Sequence, residues 1–291
     1  MDIKGAGAVL VIALLRLHRE GFMPKGDYIL ALTAGEEDGV ANGVQWLLAH
    51  RPKLIDAAYS INVDGGGPEI RRGKPAVLSI ETAEKVYLSY TLTVRNPGGH
   101  SSLPTPDNAI YRLARGLDRL SSLKFPLRAN ATTRGYYAQL ATLYSGTAAA
   151  DMRAVAHDPS DPAALARLAA SSPYNNALLR TTCVPTLLAG GDAENALPQI
   201  ARATINCRLL PDEEPDHVDA MLKQALADPA IAIARVAPAQ PSPPSPVDPA
   251  LFAQIAAVAS SLWGPIPLSP YMSAGASDSI FLRAAGMPSY V

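Results

Sequence analysis

Residues 28–40 read YILALTAGEEDGV. The apolar run Tyr28-Ile-Leu-Ala-Leu-Thr33 predicts a buried strand, and Gly35-Glu36-Glu37-Asp38 predicts the turn that ends it. In α/β enzymes the C-terminal ends of strands are where ligands gather. Two neighbouring carboxylates at such an end repel each other and lose hydration, and a cation beside them removes both costs. Stabilisation of the next helix's N-terminus is the simpler use of the same two charges. Asp2 in MDIKG and Asp64 in INVDGGG lie at two other segment ends and bring a metal reading into competition.

The first part alternates helix and strand. Helices are expected at about 5–20 and 39–49, and strands at 28–33 and 58–63, which predicts an α/β sheet, parallel or mixed, with helices on its faces. Val9, Leu10, Ala13, Leu14 and Leu17 recur at helical spacing, so the first helix is expected to pack on a core. Its apolar stretch, 6–15, is about half the ~20 residues a bilayer span needs.

The pattern changes at Val86-Tyr-Leu-Ser-Tyr-Thr-Leu-Thr-Val94, which alternates like a half-exposed strand. A helix is expected at 107–122, strands at 183–189 and 200–210, a helix at 215–227 and a strand at 231–236. The order β-α-β-β-α-β describes a ferredoxin-like α+β sandwich. It carries an insertion of short helices and loops at about 126–180. The proline-rich segment 238–247 reads as a stiff crossover. A helix follows from Pro249 to Trp263, and the chain closes in a strand at Tyr290-Val291. The domains expected are 1–83 and 239–291, forming one α/β unit, and 84–238 between them.

The formal net charge is −1 over 291 residues, with no long run of one sign. That balance argues against nucleic acid or an anionic membrane as partner. An apolar content of 48% supports a sizeable core. The two cysteines, Cys183 and Cys207, exclude a cysteine zinc site. Antiparallel pairing of their strands would bring them together. They are read here as reduced structural thiols, with the redox compartment open. Asp278 in GASDS is expected to cap the helix Ser279 to Ala285. His18, His50, His157 and His217 read as surface or helix-end residues.

The segments MDIKG, AGEEDG, NVDGGG, NPGGHSSLP, GGDAENALP, INCRLLP and GASDS, in this order, resemble the dinuclear zinc aminoacylase/carboxypeptidase family. That family includes acetylornithine deacetylase, succinyl-diaminopimelate desuccinylase and carboxypeptidase S-like enzymes. The resemblance implies a zinc-peptidase-like mixed sheet with helices on both faces, interrupted by a ferredoxin-like lid that serves as dimerisation domain. It also implies a metal-dependent hydrolase that cleaves a peptide or N-acyl-amino-acid amide bond.

Carried over, Asp2 is similar to the carboxylate that bridges two metals, with Glu37 and Asp64 as their terminal ligands. Glu36 resembles the general base, and His100 the lid histidine that steadies the oxyanion of a neighbouring active site. Asn195 and Arg208 resemble the residues that hold the substrate backbone and carboxylate. The implied cofactors are two zinc ions, with cobalt or manganese as alternatives. The implied partners are a small peptide or N-acyl amino acid and a second copy of the chain.

The family pattern begins before Met1 with a His-x-Asp motif and continues past Val291 to a second metal-binding histidine. The expectation is therefore a fragment whose true N-terminus is missing, leaving cytoplasmic and secreted locations open. Each metal would lack its imidazole, which lowers occupancy. The alternative is a catalytically incomplete short form that dimerises or binds peptide through 84–238.

Overall fold

The computed structural model describes residues 3–37 and 41–291. Along the chain run α1 (Lys4–Arg19), α2 (Gly43–His50), β1 (Ser60–Ile61), β2 (Pro68–Arg71), β3 (Lys74–Glu84), β4 (Val86–Arg95) and β5 (Gly99–His100). Then come α3 (Ala109–Ser121), α4 (Ala131–Leu140), α5 (Gly146–His157), α6 (Pro162–Ser171), α7 (Pro173–Leu179), β6 (Thr182–Gly190), β7 (Ala196–Leu197) and β8 (Ile200–Leu209). The last are α8 (Pro215–Leu226), β9 (Ile231–Arg235), α9 (Pro249–Trp263), β10 (Leu268–Ser273), α10 (Ser279–Ala284) and β11 (Ser289–Tyr290). Two compact units form: Met1–Glu84, Asn130–Ala164 and Ser242–Val291 make the first, Lys85–Ala129 and Leu165–Pro241 the second.

The second unit is a four-stranded antiparallel sheet in the order β6-β8-β4-β9. Alternate residues of β4, namely Val86, Leu88, Tyr90, Leu92 and Val94, are buried. They join Ala203, Ile205 and Cys207 of β8, Leu113 of α3, and Val218 and Leu222 of α8 in one core. Fully burying each leucine here is worth roughly 2 kcal/mol. Asn108 starts α3 by accepting from the Ile110 and Tyr111 amides at 2.9 and 3.3 Å. β6 is an edge strand whose Val184, Leu187 and Leu188 are exposed.

In the first unit β3 lies between β10, its parallel partner, and β2, its antiparallel one. β1 pairs in parallel with β11. Leu78 and Ile80 of β3 pack with Leu251, Ala259 and Tyr290, and a second cluster gathers Val44, Ile55 and Leu282. Two serines of the proline-rich stretch are fixed to the first unit. The Ser245 amide donates to Thr82 O at 2.7 Å, and Ser242 and Ser245 are buried.

Several expectations need correction. Tyr28–Thr33 forms no strand and is exposed, because its backbone pairs with no strand among the described residues. α1 forms where expected but buries none of its residues. Its apolar stripe meets too little neighbouring structure to be covered. Strand β3 went unanticipated, since Glu81, Thr82 and Glu84 break its apolar pattern. Cys183 and Cys207 are opposed in the β6–β8 register and form a disulfide with Cα atoms 4.0 Å apart, not two thiols.

Candidate functional site

In the first unit Glu36 and Glu37 sit on a turn, the first half-buried and the second exposed. The base of their loop is closed tightly. The Gly43 amide donates to Ala34 O at 2.8 Å. Gly35 takes φ +80° against the Ala41 carbonyl, where a Cβ would collide, and a Cβ on Gly43 would sit 2.9 Å from Thr33 Cβ. Only glycine fits both positions. Past the loop, Asn42 caps α2 by accepting from the Gln45 amide at 3.0 Å.

Asp64 is half-buried. Its amide donates to Asn62 Oδ1 at 3.0 Å, an Asx turn that fixes the backbone at Asp64. Asn62 Nδ2 in turn donates to Ser277 Oγ and Ser279 Oγ at 3.3 and 3.2 Å. Beneath lies a buried charge cluster that sequence reading missed. Ser277 Oγ donates to Glu84 Oε1 at 2.6 Å, and Arg283 pairs with the other Glu84 oxygen. Burial first, then neighbouring Glu84, push the Glu81 carboxyl up to about 9, with Arg283 opposing and Asp64 adding. The one available signal was the polar spacing of ETAEK within an otherwise apolar run.

Asp2 lies outside the described residues. Among the described residues no group of three or more His, Cys, Asp or Glu could hold a metal. Carboxylate oxygens such as those of Glu37 and Asp64 are the kind of donor that hard divalent ions take.

In the second unit the structure brings His100 and Asn195 together. His100 pairs with Ala196 in the β5–β7 ribbon, and the Ser101 amide donates to Asn195 O at 3.0 Å. His100 Nδ1 accepts from the Ser102 amide at 3.2 Å. A neutral ring therefore carries its proton on Nε2, as a hydrogen-bond donor. Arg208 is not part of this pair. It lies eight residues along β8 from Ile200, about 26 Å at strand rise. There it faces Tyr87 and Thr182, with its guanidinium 4.6 Å from the Tyr87 ring centroid. Burial lowers its pKa, and no carboxylate among the described residues is salt-bridged to it.

Comparison with known proteins adds to this geometry. The family model described as a peptidase dimerisation domain matches residues 82–233, more than half of the chain. The chain is 26% identical over 251 residues to an N-fatty-acyl-amino acid synthase/hydrolase of Mus musculus, covering 80% of this chain and 46% of that protein. It is 24% identical over 253 residues to "Probable carboxypeptidase S-like 2" of Dictyostelium discoideum, covering 81% and 46%. Among solved structures, aminopeptidase PepT from Bacillus cereus superposes with a TM-score of 0.59 at 17% identity, over 99% of this chain and 61% of that one. At that identity the likeness concerns fold alone. The chain spans about half the length of the curated relatives it matches. No helix among the described residues is long and apolar enough to cross a membrane.

Proposed function

The chain belongs to the M20 peptidase family, and from that premise we propose that it carries residues of a metal-dependent hydrolase acting on a peptide or N-acyl amino acid. The observation that carries the reading is the tight closure between Ala34 and Gly43, which only glycines at 35 and 43 permit and which brackets two adjacent carboxylates in sequence. Glu37 and Asp64 would hold the metal, with Asp2 as the third carboxylate. When bound, the metal supplies water acidified toward neutral pH and draws charge from the scissile carbonyl.

The remaining steps belong to the protein. Glu36 takes the water proton as general base and returns it to the leaving amine. His100, protonated at Nε2, donates to the developing oxyanion. Asn195, beside His100, would hold the substrate backbone, and Arg208, well apart from that pair along β8, would turn its planar fork to the carboxylate of a substrate in a different copy's active site. The second unit would pair with another copy. Its edge strand β6 exposes Val184, Leu187 and Leu188, and unpaired apolar edges invite association. Sedimentation at the monomer mass alone would remove that part.

The test of the hydrolase reading is a pair of variants. Glu36→Gln is expected to keep zinc affinity while lowering kcat by orders of magnitude. Glu37→Ala is expected to lose bound zinc. Unchanged turnover in the first variant would take the base role from Glu36. One observation favours a second reading, a dimerising or peptide-binding module without catalysis: the family model that matches the chain over residues 82–233 is that of a dimerisation domain. That reading predicts association without zinc and no hydrolysis with it.

A further inference from the structure

The loop with Glu36 and Glu37 is held from outside by one carboxylate. Thr33 Oγ1, just before the loop, donates to Asp278 Oδ2 at 3.2 Å. Asn42 Nδ2, just after it, donates to Asp278 Oδ1 at 2.5 Å. Each oxygen of Asp278 thus takes one end of the same loop. Asn42 is 5% exposed, so its amide depends on a protein acceptor. Hydrogen bonds to a carboxylate are charge-assisted and stronger than the neutral kind.

Asp278 does not do what its sequence position suggests. It precedes α10 with φ −56° and ψ −18° and makes no side-chain cap bond, so it is already helical and its side chain is turned toward the loop. Its neighbours Ser277 and Ser279 accept from Asn62, which builds the turn of Asp64. Three consecutive residues therefore reach both acidic turns, and Glu84 anchors the segment through Ser277.

We infer that Asp278 is a positioning residue for the Glu36–Glu37 loop, clamping the two ends of the loop to each other. The consequence for metal binding rests on the reading of Glu37 as a ligand; the clamp itself does not. The amides of Gly43 and Gln45 report the clamp, since Gly43 donates to Ala34 O and Gln45 to Asn42 Oδ1. In the full chain without metal, Asp278→Ala should speed exchange of these two amides about tenfold or more. The amides of Ser60 and Asn62, held by Pro288 O and Tyr290 O, should stay as in the parent. Thr33→Val removes one arm and should give a smaller acceleration.

Should Asp278→Ala fail to fold, Asp278→Asn and Thr33→Val carry the test, because each keeps side-chain volume. Unchanged exchange at Gly43 and Gln45 in both would overturn the clamp. So would an equal rise at Ser60 and Asn62, which marks general destabilisation. Zinc titrated alone separates the two readings. Weaker zinc binding in Asp278→Asn with an unchanged unfolding midpoint supports positioning of a ligand loop. Faster loop exchange in the Asp278 variants, together with a parent that binds no zinc, supports the clamp and defeats the metal reading.

Discussion

The Arg283 guanidinium donates to the Glu84 carboxylate where both side chains are 1% exposed. Two charges removed from water survive only when their other polar atoms are satisfied. Ser277 serves Glu84 at 2.6 Å, and Ser242 Oγ and Ser289 O serve Arg283, both at 3.2 Å. Arg283→Met would strand the carboxylate, and the expected loss is about 3–5 kcal/mol of unfolding free energy. Adding Glu84→Gln to that variant should recover part of the loss. Denaturant unfolding of both variants checks this, and equal stabilities would show that the stranded charge is not the cause.

Glu81 sets a pH dependence whose sign follows from burial. Its folded carboxyl is raised from 4.5 to about 9, chiefly by desolvation and then by Glu84. Between those values the native state holds a proton that the unfolded chain has released. The contribution is therefore complete below 4.5 and is lost as pH rises through about 9. Glu81→Gln keeps the neutral shape at every pH. The melting temperature of the parent should fall across this window, and that of the glutamine variant should fall less. Parallel curves would mean that Glu81 ionises in the folded protein near its ordinary value.

The disulfide joins Cys183 and Cys207, 24 residues apart, across neighbouring strands. By loop-closure entropy such a link is worth about 3 kcal/mol. Replacing both cysteines by serine should lower the melting temperature, and adding reductant to the parent should lower it similarly. Alkylation of two thiols in native, unreduced protein would show that the bond is not formed.

The second unit was legible in the sequence because each of its strands finds its partner within that unit. Val86–Val94 alternates, and its alternation becomes the buried face of β4. The first unit was less legible. The same periodic logic read a strand at Tyr28–Thr33, but a strand also needs a neighbour, and no described strand pairs with that run. It passed over β3 because buried glutamates look like surface; Glu84 is acceptable inside only because Arg283, distant in sequence, meets it. Spacing could place Glu36, Glu37 and Asp64 on turns. It could not reveal that Asp278 leaves its own helix to hold one of those turns.

Arg208 offers a test of substrate chemistry within the second unit. Its guanidinium stacks on Tyr87, and burial, then the charge of Arg208, brings Lys85 down to about 7. The Lys85 ammonium is engaged by Ala177 O, Arg180 O and Thr182 Oγ1 at 2.9, 2.8 and 3.3 Å. Of the two cations, the arginine is the one whose planar fork suits an incoming carboxylate. An N-acetyl amino acid should therefore bind more tightly than its C-terminal amide. Arg208→Lys keeps the charge but loses the fork and the stacking, which are worth about tenfold or more in affinity at such a site. Calorimetric titration of acid and amide into both proteins measures this. If the parent binds acid and amide equally, Arg208 does not hold a carboxylate, whatever the variant does.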